Sequence, residues 1–242
     1  MKKFISNLLI CLLCFHVISL KGEVSNKEYL FEVIPGAAEP SFVFPVLAGG
    51  AILSLAMNPL EKSLRDHLYT EPFLPESVSH FCDRYITDFW FLPVSAAGAL
   101  AEGMKHDHYY KPLRHMVAAH AINLGFTYAL KWSIGRIRPD GTPLSFPSGH
   151  SSIAFTTATL MYNWHGTTVG APMYAFAALT ALSRVNDKRH WPADVLFGAV
   201  LGTVTARALY LSEEEKNDKA DVVPLMLPIV EFRFSTARWS RK

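Results

Sequence analysis

The sequence predicts an all-α protein, a six-helix bundle core with a short extended C-terminal tail. Three observations point there. Glycine, alanine and leucine recur through apolar stretches of helical length. The links between those stretches are rich in proline, glycine and polar residues, and no repeat or low-complexity tract interrupts the order. With 242 residues, 50% hydrophobic and 18% charged, the chain can build one domain around a large core.

The chain opens on Lys2-Lys3, an apolar run over residues 4–20 and then Lys21-Gly22-Glu23. That basic, greasy and short layout marks residues 1–22 as a signal peptide or an uncleaved anchor, so export is expected. Cys11 and Cys14 follow Ile10 and Leu13, where a lipoprotein signal wants a small residue, which makes lipidation the lesser option. The leader carries Lys2, Lys3 and Lys21 and no acid, so its removal takes the formal charge from +2 to −1. No basic footprint for nucleic acid remains. Of the three cysteines only Cys82 lies beyond the leader, which excludes a disulfide within the mature chain.

Residues 23–211 form the expected domain, with helices at 42–57, 90–104, 113–132, 151–164, 171–182 and 193–211. The 113–132 stretch carries Arg114, His115 and His120, and 195–211 carries Arg207, which suits amphipathic bundle helices. Residues 151–164 and 171–182 are parted by His165-Gly166-Thr167-Thr168-Val169-Gly170, a helix stop and restart. At about 1.5 Å per residue each arm is roughly 20 Å long, so an antiparallel pair brings Arg184 back to the end where His150 started. Residues 212–242 are expected to lie outside the bundle. They begin as a solvated linker from Glu213 to Lys219, then run extended over 222–234 with Val230, Phe232 and Phe234 on one side. Pro224 and Pro228 forbid a long helix there, and the segment is either a strap on the bundle or a docking strand.

The chemistry lies in three strings: Lys131-x6-Arg138-Pro139, Pro147-Ser148-Gly149-His150, and Ser183-Arg184-x5-His190-x3-Asp194. Lys131 ends one helix, and Arg138-Pro139-Asp140-Gly141-Thr142-Pro143 is a loop that prolines and glycine keep from being helical. Ser148 stands at an N-cap position, where its hydroxyl and the following backbone N–H groups face outward at the positive end of a helix dipole and welcome an anion. Pro192 opens the last helix, putting Asp194 in its first turn and His190 just ahead, where the carboxylate can reach back to the imidazole. Phosphoryl transfer needs charge neutralisation and in-line positioning more than bond chemistry from the protein, and three cations meet that need without a metal. One imidazole oriented by a carboxylate is a good nucleophile, a second protonated one is an acid, and opposite protonation states imply a bell-shaped pH profile.

These residues and spacings, across about residues 42–210, resemble the type 2 phosphatidic acid phosphatase family, also called the bacterial acid phosphatase and vanadium haloperoxidase superfamily. The resemblance implies a helical fold in which Lys131, Arg138 and Arg184, with Ser148 and the Gly149 amide, bind phosphate oxygens. It makes His190 the nucleophile that forms a phosphohistidine, Asp194 its partner and His150 the acid for the leaving oxygen. It implies no cofactor, and a substrate that is a phosphate-bearing lipid such as phosphatidic acid, phosphatidylglycerol phosphate, undecaprenyl diphosphate or lipid A. The alternatives are a broad acid phosphatase on soluble esters, a vanadium haloperoxidase built on the same cage, and a silent lipid-binding bundle. A lipid substrate needs a greasy mouth beside the cations; soluble esters need an open polar one.

The apolar stretches at 42–57 and 195–211 fall at or below the floor of about 17 residues for a membrane span. The expectation is therefore a periplasmic globule or peripheral membrane protein with its site on the outer side of the inner membrane, with an integral membrane protein as the alternative. His106-Asp107-His108 has metal-like spacing but no further ligands in view, and reads as a solvent loop. Arg136, Lys188 and Arg189 either enlarge the anion site or are loop charges, and Trp132 and Trp191 are expected at the core and rim.

Overall fold

The computed structural model describes residues 29–38, 41–68, 72–107, 109–217, 225–227 and 230–232. The expected leader at 1–22 lies outside these residues. After an N-terminal helical turn at Tyr29–Val33 and Ile34–Gly36, six helices follow: α1 (Val43–Leu68), α2 (Glu76–Thr87), α3 (Phe91–His106), α4 (Tyr110–Ile134), α5 (Gly149–Asn186) and α6 (Pro192–Asn217). The fold class is all-α, as predicted.

The expected pair at 151–164 and 171–182 is a single run, α5, broken only at Gly166, whose φ of 66° and ψ of −161° are open to glycine almost alone. Helix resumes at once, so the link is one residue where six were expected. The two arms still lie antiparallel: Thr159 Oγ1 and Tyr174 OH are 2.7 Å apart, and the Phe155 and Tyr174 rings are 5.9 Å apart.

Helix α6 packs on the first arm of α5 closely enough that a side chain at Gly202 has no room, since a Cβ there would stand 2.1 Å from the Ser152 carbonyl oxygen. This contact holds the start of α6 beside the start of α5. The main core gathers Ala99 of α3, Val117 of α4, Leu160 and Trp164 of α5 and Leu209 of α6, with Tyr29 of the N-terminal turn sealed beneath it. Helix α1 covers the outer side of α6 through Val43 against Val204 and Ala208.

Four boundaries differ from expectation. Helix α2 was not foreseen: only Ser79, Cys82, Tyr85 and Ile86 of its twelve residues are buried, so its apolar stripe is thin. Helix α1 runs on through Pro59 to Leu68, which carries Glu61 into the interior. Helix α6 continues past Leu211, and the supposed linker start, Ser212 and Glu213, is buried because Arg114 of α4 pairs with Glu213 at 2.6 Å. In the tail, two short strands, β1 (Leu225–Leu227) and β2 (Val230–Phe232), pair antiparallel with Leu225 opposite Phe232, where one extended strap was expected. Phe234 lies outside the described residues.

Pro192–Glu214 of α6 is the one helix among the described residues long and apolar enough to cross a membrane, and 61% of its apolar window is buried in the bundle, as in a core helix. His106 belongs to the last turn of α3, 3.5 Å from Glu102, Asp107 caps that helix in the left-handed region, and His108 lies outside the described residues.

Candidate active site

The three strings converge at one end of the bundle. Helix α4 ends at Gly135, whose φ of 61° closes the last turn by returning its N–H to the Lys131 carbonyl. Lys131 is thereby buried at the exit, with its Nζ donating to the carbonyls of Leu144 (2.7 Å) and Ser145 (3.3 Å). Burial first, and then nearby Arg138, push its amine down to about 8. The loop to α5 is folded on itself, with Arg138 N–H donating to the Thr142 carbonyl at 2.8 Å and Asp140 bonding the Thr142 N–H at 2.9 Å.

Ser148 caps α5 as expected. Its Oγ accepts the Ser151 N–H at 3.3 Å, so the hydroxyl proton is left to donate elsewhere. Its own N–H donates to the Asp194 carbonyl at 3.0 Å, tying the start of α5 to α6. Gly149 opens the helix, and a Cβ built there would meet only Thr127, at 3.8 Å. The second arm of α5 returns Arg184, whose carbonyl accepts the His190 N–H at 3.2 Å. All eight residues expected at the site, Lys131, Arg138, Ser148, Gly149, His150, Arg184, His190 and Asp194, thus share one end of the molecule.

Neither Lys131 nor Arg138 has a carboxylate within ion-pair distance among the described residues. Lys131 meets only carbonyls, and Arg138 Nε is buried without a partner. Arg184 is different: Nη1 pairs with Asp83 of α2 and Nη2 with Asp187, while its Nε has no partner. The same Asp83 Oδ1 lies 3.1 Å from His150 Nε2. The adjacent His150 ring and then the Arg184 charge hold the Asp83 carboxyl far below the usual range, against its burial.

His190 is buried, its Nδ1 3.7 Å from Asp194 Oδ2, an ion-pair distance longer than a hydrogen bond. Burial pushes its pKa down to about 4, Asp194 opposes this, and Lys131 and Arg138 reinforce it. The imidazole is therefore neutral near pH 7. Asp194 is fully buried; its Oδ2 accepts the Trp191 N–H at 2.9 Å and the Ser145 hydroxyl, and its Oδ1 accepts Arg136 at 2.6 Å. Burial works against its ionisation, but His190, Ser145, Arg136 and the Trp191 N–H hold its carboxyl below the usual range.

Of the ambiguous cations, Arg136 turns inward to Asp194 and Glu61, and Arg189 pairs with Asp140 at 3.1 Å. Trp191 sits at the rim with its indole N–H on the Ile137 carbonyl, 2.8 Å away, and Trp132 is exposed rather than packed in the core. The sequence reasoning missed Asp83, Asp187, Ser145 and Glu61. Ser145 and Asp187 flank the motifs closely enough to have been asked about, whereas Asp83 and Glu61 come from helix stretches that had not been assigned.

A helical bundle with these three strings gathered at one end defines a class. Residues 112–218 of the chain, which contain every string, match the family model of the PAP2 superfamily. Among its relatives, the lipid A 1-phosphatase of Porphyromonas gingivalis is 41% identical over 90 residues, covering 36% of this chain and 20% of that one. The lipid A 4'-phosphatase of Helicobacter pylori is 28% identical over 123 residues, 46% of this chain and 60% of the relative. The matches to these two thus span between 20% and 60% of the relatives' own length. The transmembrane PAP2-type phosphatidylglycerolphosphate phosphatase of Bacillus subtilis superposes with a TM-score of 0.57 over 73% of this chain and 98% of that one, at 20% identity, a likeness of fold.

Proposed function

We propose that this protein is an exported phosphatase that hydrolyses a phosphomonoester or diphosphate of a lipid through a phosphohistidine. The observation that carries it is the buried Lys131 amine and the half-buried Arg138 guanidinium, neither with a carboxylate within ion-pair distance among the described residues, beside a neutral buried His190. An uncompensated buried charge is costly, and a phosphate dianion is the group that relieves it.

In this mechanism Lys131, Arg138 and Arg184, with the Ser148 hydroxyl and Gly149 N–H, hold the equatorial phosphate oxygens. The free His190 nitrogen attacks phosphorus as the bond to the leaving oxygen breaks, and His150 gives that oxygen its proton. Asp194 stabilises the positive charge that develops on the His190 ring. Water then donates a proton to His150 and attacks the phosphohistidine, releasing phosphate and restoring both rings.

A lipid is favoured over soluble esters by what surrounds the cations. Trp132, Ile134, Ile137 and Leu182 are 60%, 51%, 55% and 49% exposed, and each stands within three residues of Lys131, Arg138 or Arg184. An apolar collar at a phosphate seat suits acyl chains and a membrane surface. The relatives named as lipid A phosphatases support the same choice.

The test is phosphate release by the purified full chain from phosphatidic acid, undecaprenyl diphosphate, lipid A and a soluble aryl phosphate, with and without detergent. The lipids are expected to exceed the soluble ester in kcat/KM. His190→Ala is expected to lose at least about 10³-fold and to trap no phosphorus label on the protein. Strong turnover by that variant overturns the assigned nucleophile, and a preference for the aryl phosphate overturns the lipid assignment.

A further inference from the structure

Glu61 of α1 is 3% exposed, a buried carboxylate that the mechanism above does not use. Its Oε1 accepts the N–H of Ala193, in the first turn of α6, at 3.0 Å, and its Oε2 pairs with Arg136 Nη2. The other arm of the same guanidinium, Nη1, donates to Asp194 Oδ1 at 2.6 Å. Arg136 is further fixed from two sides: its carbonyl accepts the Ser145 N–H at 2.7 Å, and its guanidinium carbon lies 5.6 Å from the centre of the Trp191 ring. Helix α1 is tied to the same turn a second time, by Ser54 Oγ donating to the Ala193 carbonyl at 3.3 Å. A helix remote in sequence therefore grips the one turn that carries Asp194.

We infer that Glu61 and Arg136 are positioning residues for the phosphoryl-transfer step, forming with Asp194 and His190 a chain of alternating charge that aims Oδ2 of Asp194 at the imidazole. This rests on His190 being the nucleophile. Arg136 occupies Oδ1, while Oδ2, which accepts the Ser145 hydroxyl and the Trp191 N–H, faces the ring; the guanidinium is held against Oδ1 because its other arm is anchored on Glu61. A fork that bridges two carboxylates is a task an ammonium cannot copy. Neither residue touches substrate; both act through Asp194.

The chain has an electrostatic signature because its members carry opposite charge. His190 is faced by Asp194 of α6, Lys131 of α4 and Arg138 of the loop, and Asp194 by Arg136, with Glu61 behind it. Arg184 and His150 of α5, with Asp83 of α2, complete the charges at this end. Attack needs a neutral His190, so the acid limb of kcat/KM follows its ionisation. Taking the charge from Arg136 leaves the Asp194 carboxylate less compensated, which favours a proton on His190 and moves the limb to higher pH. Taking the charge from Glu61 leaves Arg136 wholly to Asp194 and moves the limb to lower pH.

The experiment measures kcat/KM against pH for phosphate release from a short-chain phosphatidic acid by wild type, Arg136→Gln, Arg136→Lys, Glu61→Gln and His190→Ala, with circular dichroism melts on each. Arg136→Gln is expected to lose about 10- to 100-fold. The acid limbs of Arg136→Gln and Glu61→Gln should move in opposite directions, each by about half a pH unit or more. Arg136→Lys should return the limb to the wild-type position and recover only part of the rate. Limbs that stay still or move together overturn the inference, as does an Arg136→Lys limb that matches Arg136→Gln. Should Arg136→Gln not fold, Glu61→Gln and Arg136→Lys decide the matter alone. A wild type without phosphate release, or a fully active His190→Ala, sinks the proposed function instead; normal chemistry at His190 with unmoved limbs sinks only the charge chain.

Discussion

Both ends of the bundle bury charged side chains. At the start of α4, Arg114 donates to Glu213 at 2.6 Å, His115 stands 3.5 Å from the same carboxylate, and the guanidinium lies 4.1 Å over the Tyr29 ring. At the other end of α4, roughly 25 Å away, Lys131 and Arg138 are held among carbonyls and loop backbone with no carboxylate within ion-pair distance among the described residues. The first arrangement neutralises itself and needs nothing further. In the proposed reading the second is completed by a phosphate. Burial of charge is therefore not what marks a site; burial of charge whose opposite is missing is.

The sharpest way to break this contrast is to remove the unpaired cations. Arg138→Ala and Lys131→Ala should each cost about 10²- to 10³-fold in kcat/KM, the usual loss when one preorganised donor to a transition-state oxyanion is deleted. Neither should lower the melting temperature of the protein without phosphate by much, because no ion pair is broken. Inorganic phosphate should raise the wild-type melting temperature, by an amount equivalent to about 2.7 kcal/mol at a hundredfold excess over Kd, and should do little for Arg138→Ala. An unmoved wild-type melt across that phosphate range means that these cations are not an anion seat.

The far end should respond the other way. Glu213→Gln takes the opposite charge away from the buried Arg114 and should cost about 3–5 kcal/mol in unfolding free energy, the toll of breaking one side of a buried pair. The kcat of the folded fraction should stay within about twofold of wild type, since surface and scaffold changes act through stability rather than chemistry. Chemical denaturation followed by turnover at a permissive temperature checks both halves. A large loss of kcat in well-folded protein contradicts the assignment of that end as scaffold.

The same contrast explains what could be read in advance. Lys131, Arg138, Arg184 and His190 were legible because their spacing within each string and the return of α5 are local matters of helical rise and of Gly166. Their partners were not, because pairing is settled between helices distant in sequence. Asp83 meets Arg184 across 101 residues, and Glu61 meets Arg136 across 75. Glu213 looked like the first residue of a solvated acidic run, and only Arg114, 99 residues earlier, makes it an interior group that draws α6 onward. Arg136 shows the limit most clearly: one string holds it two residues from Arg138, yet it pairs with two carboxylates while Arg138 has none within ion-pair distance among the described residues.

Asp83 offers the finest test, because it belongs to both kinds of charge at once: it pairs Arg184 as a structural acid and lies 3.1 Å from Nε2 of His150, the proposed proton donor. Burial first, and then the Arg184 and Lys131 charges, push His150 below its ordinary value, and Asp83 is the group that pulls it back up. The donor must be protonated to act, so the alkaline limb of kcat/KM follows His150 and should fall below the ordinary histidine value, while the acid limb follows His190 near 4. The enzyme is thus expected to work best in mildly acid solution. Asp83→Asn removes the charge that keeps the proton on His150, so the alkaline limb should move to lower pH. A shift of one unit would cost about tenfold at neutral pH and little near pH 5. If the limb stays where it was and only KM rises, Asp83 serves Arg184 alone, and the far end and the near end would then differ less than their unpaired cations suggest.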